Sequence, residues 1–220
     1  MWAATLDELL SAEFERRFET PARAVAARRV SELVAKPLRN GISPASNGLI
    51  PGEVLTLSAI SGVRFDPSQR KTAMFAAQHD MNRTVAARDL LVTRGNGNRN
   101  LVGRGQLVGT SAPSVAFPDT VIGVTFDEQK VLPEYAAFAW NRPSVRRQIE
   151  AGAKTTNGTF KINQQLVESL EIPCPAFDEQ KRFAELALSV AERRIDGERR
   201  ASALDSLFAS LQHRAFAGQL

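Results

Sequence analysis

DEQKRFAELALSVAERRIDGERRASALDSLFASLQHRAFAGQL, residues 178–220, contains no proline. Within it Phe183, Ala187, Val190, Arg194, Gly197, Ala201, Leu204, Phe208, Leu211 and Ala215 recur at a 4-3-4-3 spacing. That spacing is a heptad seam, one stripe of a single α-helix, interrupted at its middle by Arg194 and Gly197. A helix of about 40 residues is roughly 60 Å long at 1.5 Å per residue. It needs a partner helix to cover its stripe. Phe183, Val190, Leu204, Phe208 and Leu211 are the large apolar seam positions and the candidate pairing residues.

An internal repeat bears on where that partner comes from. Leu6-Asp7-Glu8-Leu9 through Arg16 and Phe18 aligns without gaps to Leu204-Asp205-Ser206-Leu207 through Arg214 and Phe216, at a fixed offset of 198. Five of the thirteen positions are identical: Leu, Asp, Leu, Arg and Phe. Leu6, Leu9, Leu10, Phe14 and Phe18 also fall at helical spacing, with Thr5 or Asp7 placed to cap the segment and Pro21 to close it. Two amphipathic helices that merely share composition would look the same. The long helix can pair with this segment of its own chain or with a second copy, and the sequence leaves both open.

Between the helices the chain changes character. Pro37, Gly41, Pro44, Gly48, Pro51 and Gly52 punctuate short apolar runs. Val54–Ile60, Leu90–Thr93, Gln106–Val108 and Val121–Phe126 read as strands. Pro133–Asn141 and Pro143–Ala151 read as short helices, Lys154–Thr159 as an exposed loop, and Asn163 as the cap of one further helix. The expected fold is α+β: a helix over residues 1–20, a mixed α/β domain over 21–176, and the long helix over 177–220, paired in an antiparallel coiled coil.

Of 220 residues, 43% are hydrophobic and 24% charged, enough apolar content for a core and against disorder. No apolar run reaches the roughly 18–20 residues of a membrane span, and the first ten residues lack a signal-peptide pattern. Cys174 is the lone cysteine and the two histidines lie far apart, so neither a disulfide nor a zinc site is expected. A cytoplasmic protein is the expectation. The net charge of +4 is uneven: residues 1–19 carry −3, residues 20–175 carry +7, and residues 176–220 carry zero. An excess confined to the middle domain is the pattern of a nucleic-acid surface, against the blander reading of a basic but non-binding one.

Two segments carry the chemistry for such a surface. Arg94-Gly95-Asn96-Gly97-Asn98-Arg99-Asn100, continuing to Arg104-Gly105, combines arginine, asparagine and glycine. Arginine pairs bidentately with guanine and asparagine with adenine in the major groove, and glycine lets backbone approach phosphate. Solvated arginines on a Gly/Asn turn are the plain alternative. The second segment is Arg142, Arg146 and Arg147 on a helix start suited to a phosphate, followed by Lys154, Thr155, Thr156, Asn157 and Lys161. Its plain alternative is a solvated helix face. Pro118-Asp119 with Glu128-Gln129-Lys130 imitates the carboxylate–lysine set of a Mg²⁺-dependent nuclease, a short pattern that arises often by chance. Dinucleotide-fold, P-loop and serine-elbow signatures are missing, so catalysis by this chain is not expected.

Four stretches resemble the DNA-specificity subunit of type I restriction–modification systems, in the form of one half of it. Arg88-Asp89-Leu90-Leu91-Val92-Thr93-Arg94 through Leu101-Val102-Gly103-Arg104 is similar to that family's "GDLLVTR…LVGR" segment. Glu150-Ala151-Gly152 through Lys161-Ile162-Asn163-Gln164 resembles its loop leading into "IxQ". Leu170-Glu171-Ile172-Pro173-Cys174-Pro175-Ala176-Phe177-Asp178-Glu179-Gln180-Lys181-Arg182 resembles "IPxPPxxEQxRI", and Leu207–Leu220 the helix end "SLxxxAFxGEL". The family's usual member has two target-recognition domains joined by two long antiparallel helices, each domain reading one half of an interrupted site. The resemblance implies a non-catalytic DNA-recognition unit acting as a homodimer on duplex DNA, with methyltransferase (modification) and restriction subunits docking on it. S-adenosylmethionine, Mg²⁺ and ATP would belong to those partners; no Asn/Asp-Pro-Pro-Tyr/Phe methyltransferase motif occurs here. Arg94, Asn96, Asn98, Arg99 and Asn100, with Lys154, Thr155, Thr156, Asn157 and Lys161, are the candidate DNA contacts. The rivals are a coiled-coil scaffold without sequence recognition and, more remotely, the nuclease.

Overall fold

The computed structural model describes residues 2–20, 25–62, 64–78, 80–156 and 158–216. In chain order the elements begin with α1 (Trp2–Phe18), β1 (Ala27–Arg29), α2 (Val30–Leu33), β2 (Arg39–Asn40), β3 (Ile50–Leu55), α3 (Ser58–Ser61) and β4 (Arg70–Phe75). After a 3-10 turn at Met81–Arg83 come β5 (Thr84–Val85), β6 (Asp89–Thr93), β7 (Gly95–Asn96), β8 (Gly105–Leu107), β9 (Ala112–Ala116) and β10 (Val121–Thr125). Then follow α4 (Pro133–Trp140), α5 (Pro143–Gly152), β11 (Lys154–Thr156), β12 (Thr159–Lys161), α6 (Gln164–Ser169), β13 (Glu171–Pro173) and α7 (Phe177–Phe216). Two compact units divide the chain: Val25–Lys181, and Met1–Ala24 with Arg182–Leu220. Among the described residues no helix is long and apolar enough to cross a membrane.

The Val25–Lys181 unit is an α+β domain of several small sheets. One runs β2-β10-β6-β8 and another β4-β3-β9-β5, in which β3 and β9 are parallel. All five residues of β6 are buried, as its Leu90-Leu91-Val92 run requires. Leu91 shares a cluster with Ala59, Ile60, Val115, Phe117 and Val121. The strand expected over Val54–Ile60 is therefore shorter: it ends at Leu55, and the chain turns into α3 so that Ala59 and Ile60 reach this cluster.

Two polar devices tie the sheet together. Arg39 on the edge strand donates to Asp89 Oδ2 at 2.6 Å, Thr125 Oγ1 at 3.0 Å and Asn82 O at 2.6 Å. Asp89 is 1% exposed, so this guanidinium neutralises a buried charge. Arg88, at φ 67°, has a backbone conformation uncommon for a non-glycine residue, and its side chain is pinned by Glu128 at 2.8 Å and Glu134 at 2.6 Å. At the domain's far end Gln180, in the first turn of α7, accepts from Leu132 N–H at 2.9 Å and donates to Pro175 O at 2.9 Å. That buried amide explains the glutamine after the proline-rich lead-in.

The other unit holds α1 and Arg182–Phe216 of α7. Phe183 packs edge-to-face on Phe14 and Phe18, with ring centroids 5.2 and 5.7 Å apart. Arg194 pairs with Asp7 at 3.1 Å. Residue numbers rise along α7 as they fall along α1, so the two helices run in opposite directions. Thus Phe183 is covered from within the chain. Beyond Arg194 the seam's large apolar residues are bare: Leu204 is 65% exposed and Phe208 63%, and Leu211 is exposed too, as is Leu207 beside them.

Candidate nucleic-acid interface

The two segments singled out by composition meet in one sheet. β11, β12 and β7 form a three-stranded antiparallel sheet in that order, with Lys161 opposite Gly95 and Phe160 opposite Asn96. Ile162 N–H donates to Arg94 O at 2.9 Å, fastening the junction. The loop expected at Lys154–Thr159 is instead the β11–β12 hairpin, whose Asn157-Gly158 pair is a strong hairpin-turn signal; Gly158 sits at φ +73°. Asn157 lies outside the described residues, as does His79.

Pairing register decides which side chains share a face. Lys154, Lys161 and Gly95 stand in one row across the sheet, and Thr155, Phe160 and Asn96 in the next. Alternation along strands sends adjacent rows to opposite faces. Lys154 and Lys161 are directly opposed and exposed, and neither makes an ion pair among the described residues. Like charges facing one another across strands are destabilising until an anion comes between them. Gly95 leaves room beneath Lys161, whose Cγ would lie 3.5 Å from a Cβ placed there. A hollow of about 200 Å³ beside it is lined by Arg94, Gly95, Asp119, Thr120 and Lys161. Arg94 is braced there by Asp119 O at 3.2 Å.

The loop after β7 is built by its asparagines. Asn96 Oδ1 accepts from Asn98 N–H at 2.8 Å, and Asn98 Oδ1 from Asn100 N–H at 2.9 Å, two successive side-chain turns. Asn98, Arg99 and Asn100 are exposed at its tip, and Asn96 is half-buried. The loop's return is gripped by the α4–α5 corner. Trp140 Nε1 donates to Gly103 O at 2.8 Å, and the Asn141 amide both donates to Gly105 O at 2.8 Å and accepts from its N–H at 3.2 Å. Arg146 donates to Val102 O and Arg99 O and pairs with Glu150 at 2.7 Å. Glu150's pKa is lowered, first by that hydrogen bond and then by the charges of Arg146 and Arg99. Arg142 lies over the Phe138 ring. Arg146, expected as part of a phosphate-binding helix start, is thus engaged in holding the loop, because carbonyls at its return point toward α5.

One cleft was not visible in the sequence. It has a volume of about 450 Å³, with Lys36, Asn40, Asn82, Arg83 and Gln164 on its wall. Gln164 donates to Leu38 O at 3.0 Å, which draws this cleft to the segment that follows β12. Lys36 and Arg83 are exposed, and neither ion-pairs among the described residues. No local motif marks these residues, because they come from separate parts of the chain.

The nuclease-like residues are not assembled. Asp119 precedes β10 and Glu128 follows it, at opposite ends of a five-residue strand that rises about 3.4 Å per residue. Glu128 is held by Arg88, and Lys130 pairs with Asp127 at 3.0 Å.

No family model and no curated protein matches this sequence. Solved structures do. The HsdS subunit from Thermoanaerobacter tengcongensis superimposes on 99% of the chain with a TM-score of 0.60 and 14% identity. The S subunit of the type I restriction–modification system from M. genitalium covers 91%, with a TM-score of 0.57 and 17% identity. A chain from a structure describing complex assembly and conformational transition of the type I restriction–modification system covers 99%, with a TM-score of 0.62 and 15% identity. This chain accounts for 52%, 48% and 53% of those three chains, about half their length. The chain has the fold of half a type I specificity subunit.

Proposed function

We propose that this chain is a DNA-recognition unit of a type I restriction–modification complex, reading one half of an interrupted duplex site through its mixed domain. The observation that carries the reading is the union of both basic segments in the β11-β12-β7 sheet, where Lys154 and Lys161 face one another and neither makes an ion pair among the described residues. Lys154, Lys161 and Arg99 neutralise phosphates and position the duplex. Arg94, Asn98 and Asn100 supply the side chains for base edges, with Thr156 and Asn157 added by residue type alone, whereas Asn96 and Thr155 stand on the face of the sheet opposite Lys154 and Lys161. Each bidentate base contact is worth about 1–3 kcal/mol of discrimination. Pairing of α7 with a second copy in an antiparallel coiled coil brings two half-sites together, so the site is symmetric and interrupted. Modification and restriction subunits dock on the pair and bring S-adenosylmethionine, Mg²⁺ and ATP; this chain performs no chemistry. The setting is cytoplasmic.

Selection from a randomised duplex pool by the purified protein with its modification subunit tests this directly. The expected result is an enriched motif with twofold symmetry around a non-specific spacer. An enriched motif without that symmetry would remove the homodimer, and no enrichment would leave only a scaffold. A second measurement isolates the phosphate contacts. Removing both opposed lysines, Lys154→Ala with Lys161→Ala, should flatten the slope of log affinity against log salt by about 1.8, at roughly 0.9 per phosphate. An unchanged slope would take these lysines out of the interface.

A further inference from the structure

We infer that α1 is a stand-in for a second copy: Leu204–Phe216 of a partner chain takes the same face of α7 that α1 covers, in a register set by Arg194. The inference rests on the pairing of two copies proposed above and adds its register and its competitor. α1 holds that face through Phe18 and Phe14 on Phe183 and Asp7 on Arg194. The repeat offset of 198 converts Phe18 into Phe216 and Asp7 into Asp205. Leu204–Phe216 laid in the place of α1 therefore sets Asp205 against Arg194 and Phe216 against Phe183.

Only another copy can do this. Asp205 follows Arg194 by eleven residues on one continuous helix, an axial separation of about 16 Å. The register also closes on itself. If Asp205 of the copy meets Arg194, then in antiparallel packing Arg194 of the copy meets Asp205, which is a self-complementary twofold contact. Its axis falls between Arg199 and Arg200, beside a groove of about 480 Å³ lined by Arg193, Asp196, Gly197, Arg200, Ala201 and Leu204. Gly197 and Ala201 let two helices approach there. Leu204, Phe208 and Leu211, bare in the single chain, are covered by the copy's first half.

The seam polar residue then does what such residues do in paired helices, fixing register at some cost in stability. Because α1 and the copy's segment need the same face, they exclude one another. α1 has the advantage of being tethered, and of Phe14 where the copy has Gln212. The copy brings Leu211 where α1 has Glu13, whose carboxylate turns to Arg16 and Arg17.

Two charge reversals in the full chain should move dimerisation in opposite directions. Asp205→Arg places two repulsive contacts in each dimer and none in the closed chain, and should weaken the dimer Kd by about tenfold. Asp7→Arg repels α1 from Arg194 and should tighten the Kd about threefold or more. Arg194→Asp combined with Asp205→Arg should restore the dimer. Sedimentation velocity over a concentration series reads all four proteins, and circular dichroism confirms that each is folded. An Asp205→Arg Kd equal to that of the unsubstituted chain, or both single variants shifting the same way, would overturn the register and the competition while leaving pairing intact. If the unsubstituted chain and Asp7→Arg both stay monomeric throughout, pairing itself fails, and a helix of another subunit is what covers Leu204–Leu211.

Discussion

Replacing Trp140 by alanine is expected to lower the unfolding free energy by about 3–5 kcal/mol, the range for removing a buried aromatic side chain. Trp140 is 1% exposed and sits where the loop bearing Asn98, Arg99 and Asn100 returns to the sheet. A Cβ on Gly105 would come within 2.8 Å of Trp140 Cδ1 and 3.1 Å of Leu90, so strand β8 lies close beneath the ring. Alanine would empty that space and also strand the Gly103 carbonyl that accepts from Trp140 Nε1. The two losses separate experimentally. Trp140→Phe keeps most of the packing and loses the donor, and should cost about 1–3 kcal/mol. Urea unfolding followed by circular dichroism measures both. DNA affinity should fall in the alanine variant even well below its unfolding midpoint, because the loop bearing Asn98, Arg99 and Asn100 loses its floor. A fall under 1 kcal/mol on Trp140→Ala would mean that the corner does not hold the loop.

Arg39→Ala should cost a similar amount, about 3–5 kcal/mol, through a different mechanism. The substitution leaves the Asp89 carboxylate, 1% exposed, with the Thr125 hydroxyl as its remaining side-chain partner. An unpaired buried charge is far more costly than the absence of the pair. Arg39→Met combined with Asp89→Leu should therefore recover much of the loss. The double variant is the decisive comparison: if it is as unstable as Arg39→Ala alone, packing by the arginine stem rather than charge accounts for the effect. Arg39 also donates to Asn82 O beside the cleft of Lys36, Arg83 and Gln164. Its loss should weaken DNA binding if that cleft contributes to the interface.

Much of this was legible from residue order because it depends on local periodicity or local chemistry. The heptad stripe announced α7, and the observed helix runs from Phe177 to Phe216. The Leu90–Thr93 run announced β6 because a continuous apolar stretch must be buried on both faces. Gly158 after an asparagine is a hairpin signal that the loop reading of Lys154–Thr159 passed over. The shortness of its strands, three residues each, hid the alternation that marks a strand.

By itself, the sequence determined that a basic domain precedes one long, single-striped helix, and which two segments concentrate its arginines, asparagines and lysines. Those properties belong to neighbours along the chain, so order alone contains them. Tertiary structure decided the rest. It joined the segments through β7 and β12, put Lys161 and Asn96 in rows that face opposite ways, and turned Arg146 from a phosphate ligand into a brace for the loop. It also covered Phe183 with α1 and left Leu204–Leu211 bare. Each depends on hydrogen bonds or contacts between residues far apart in the chain, and no local pattern carries that information.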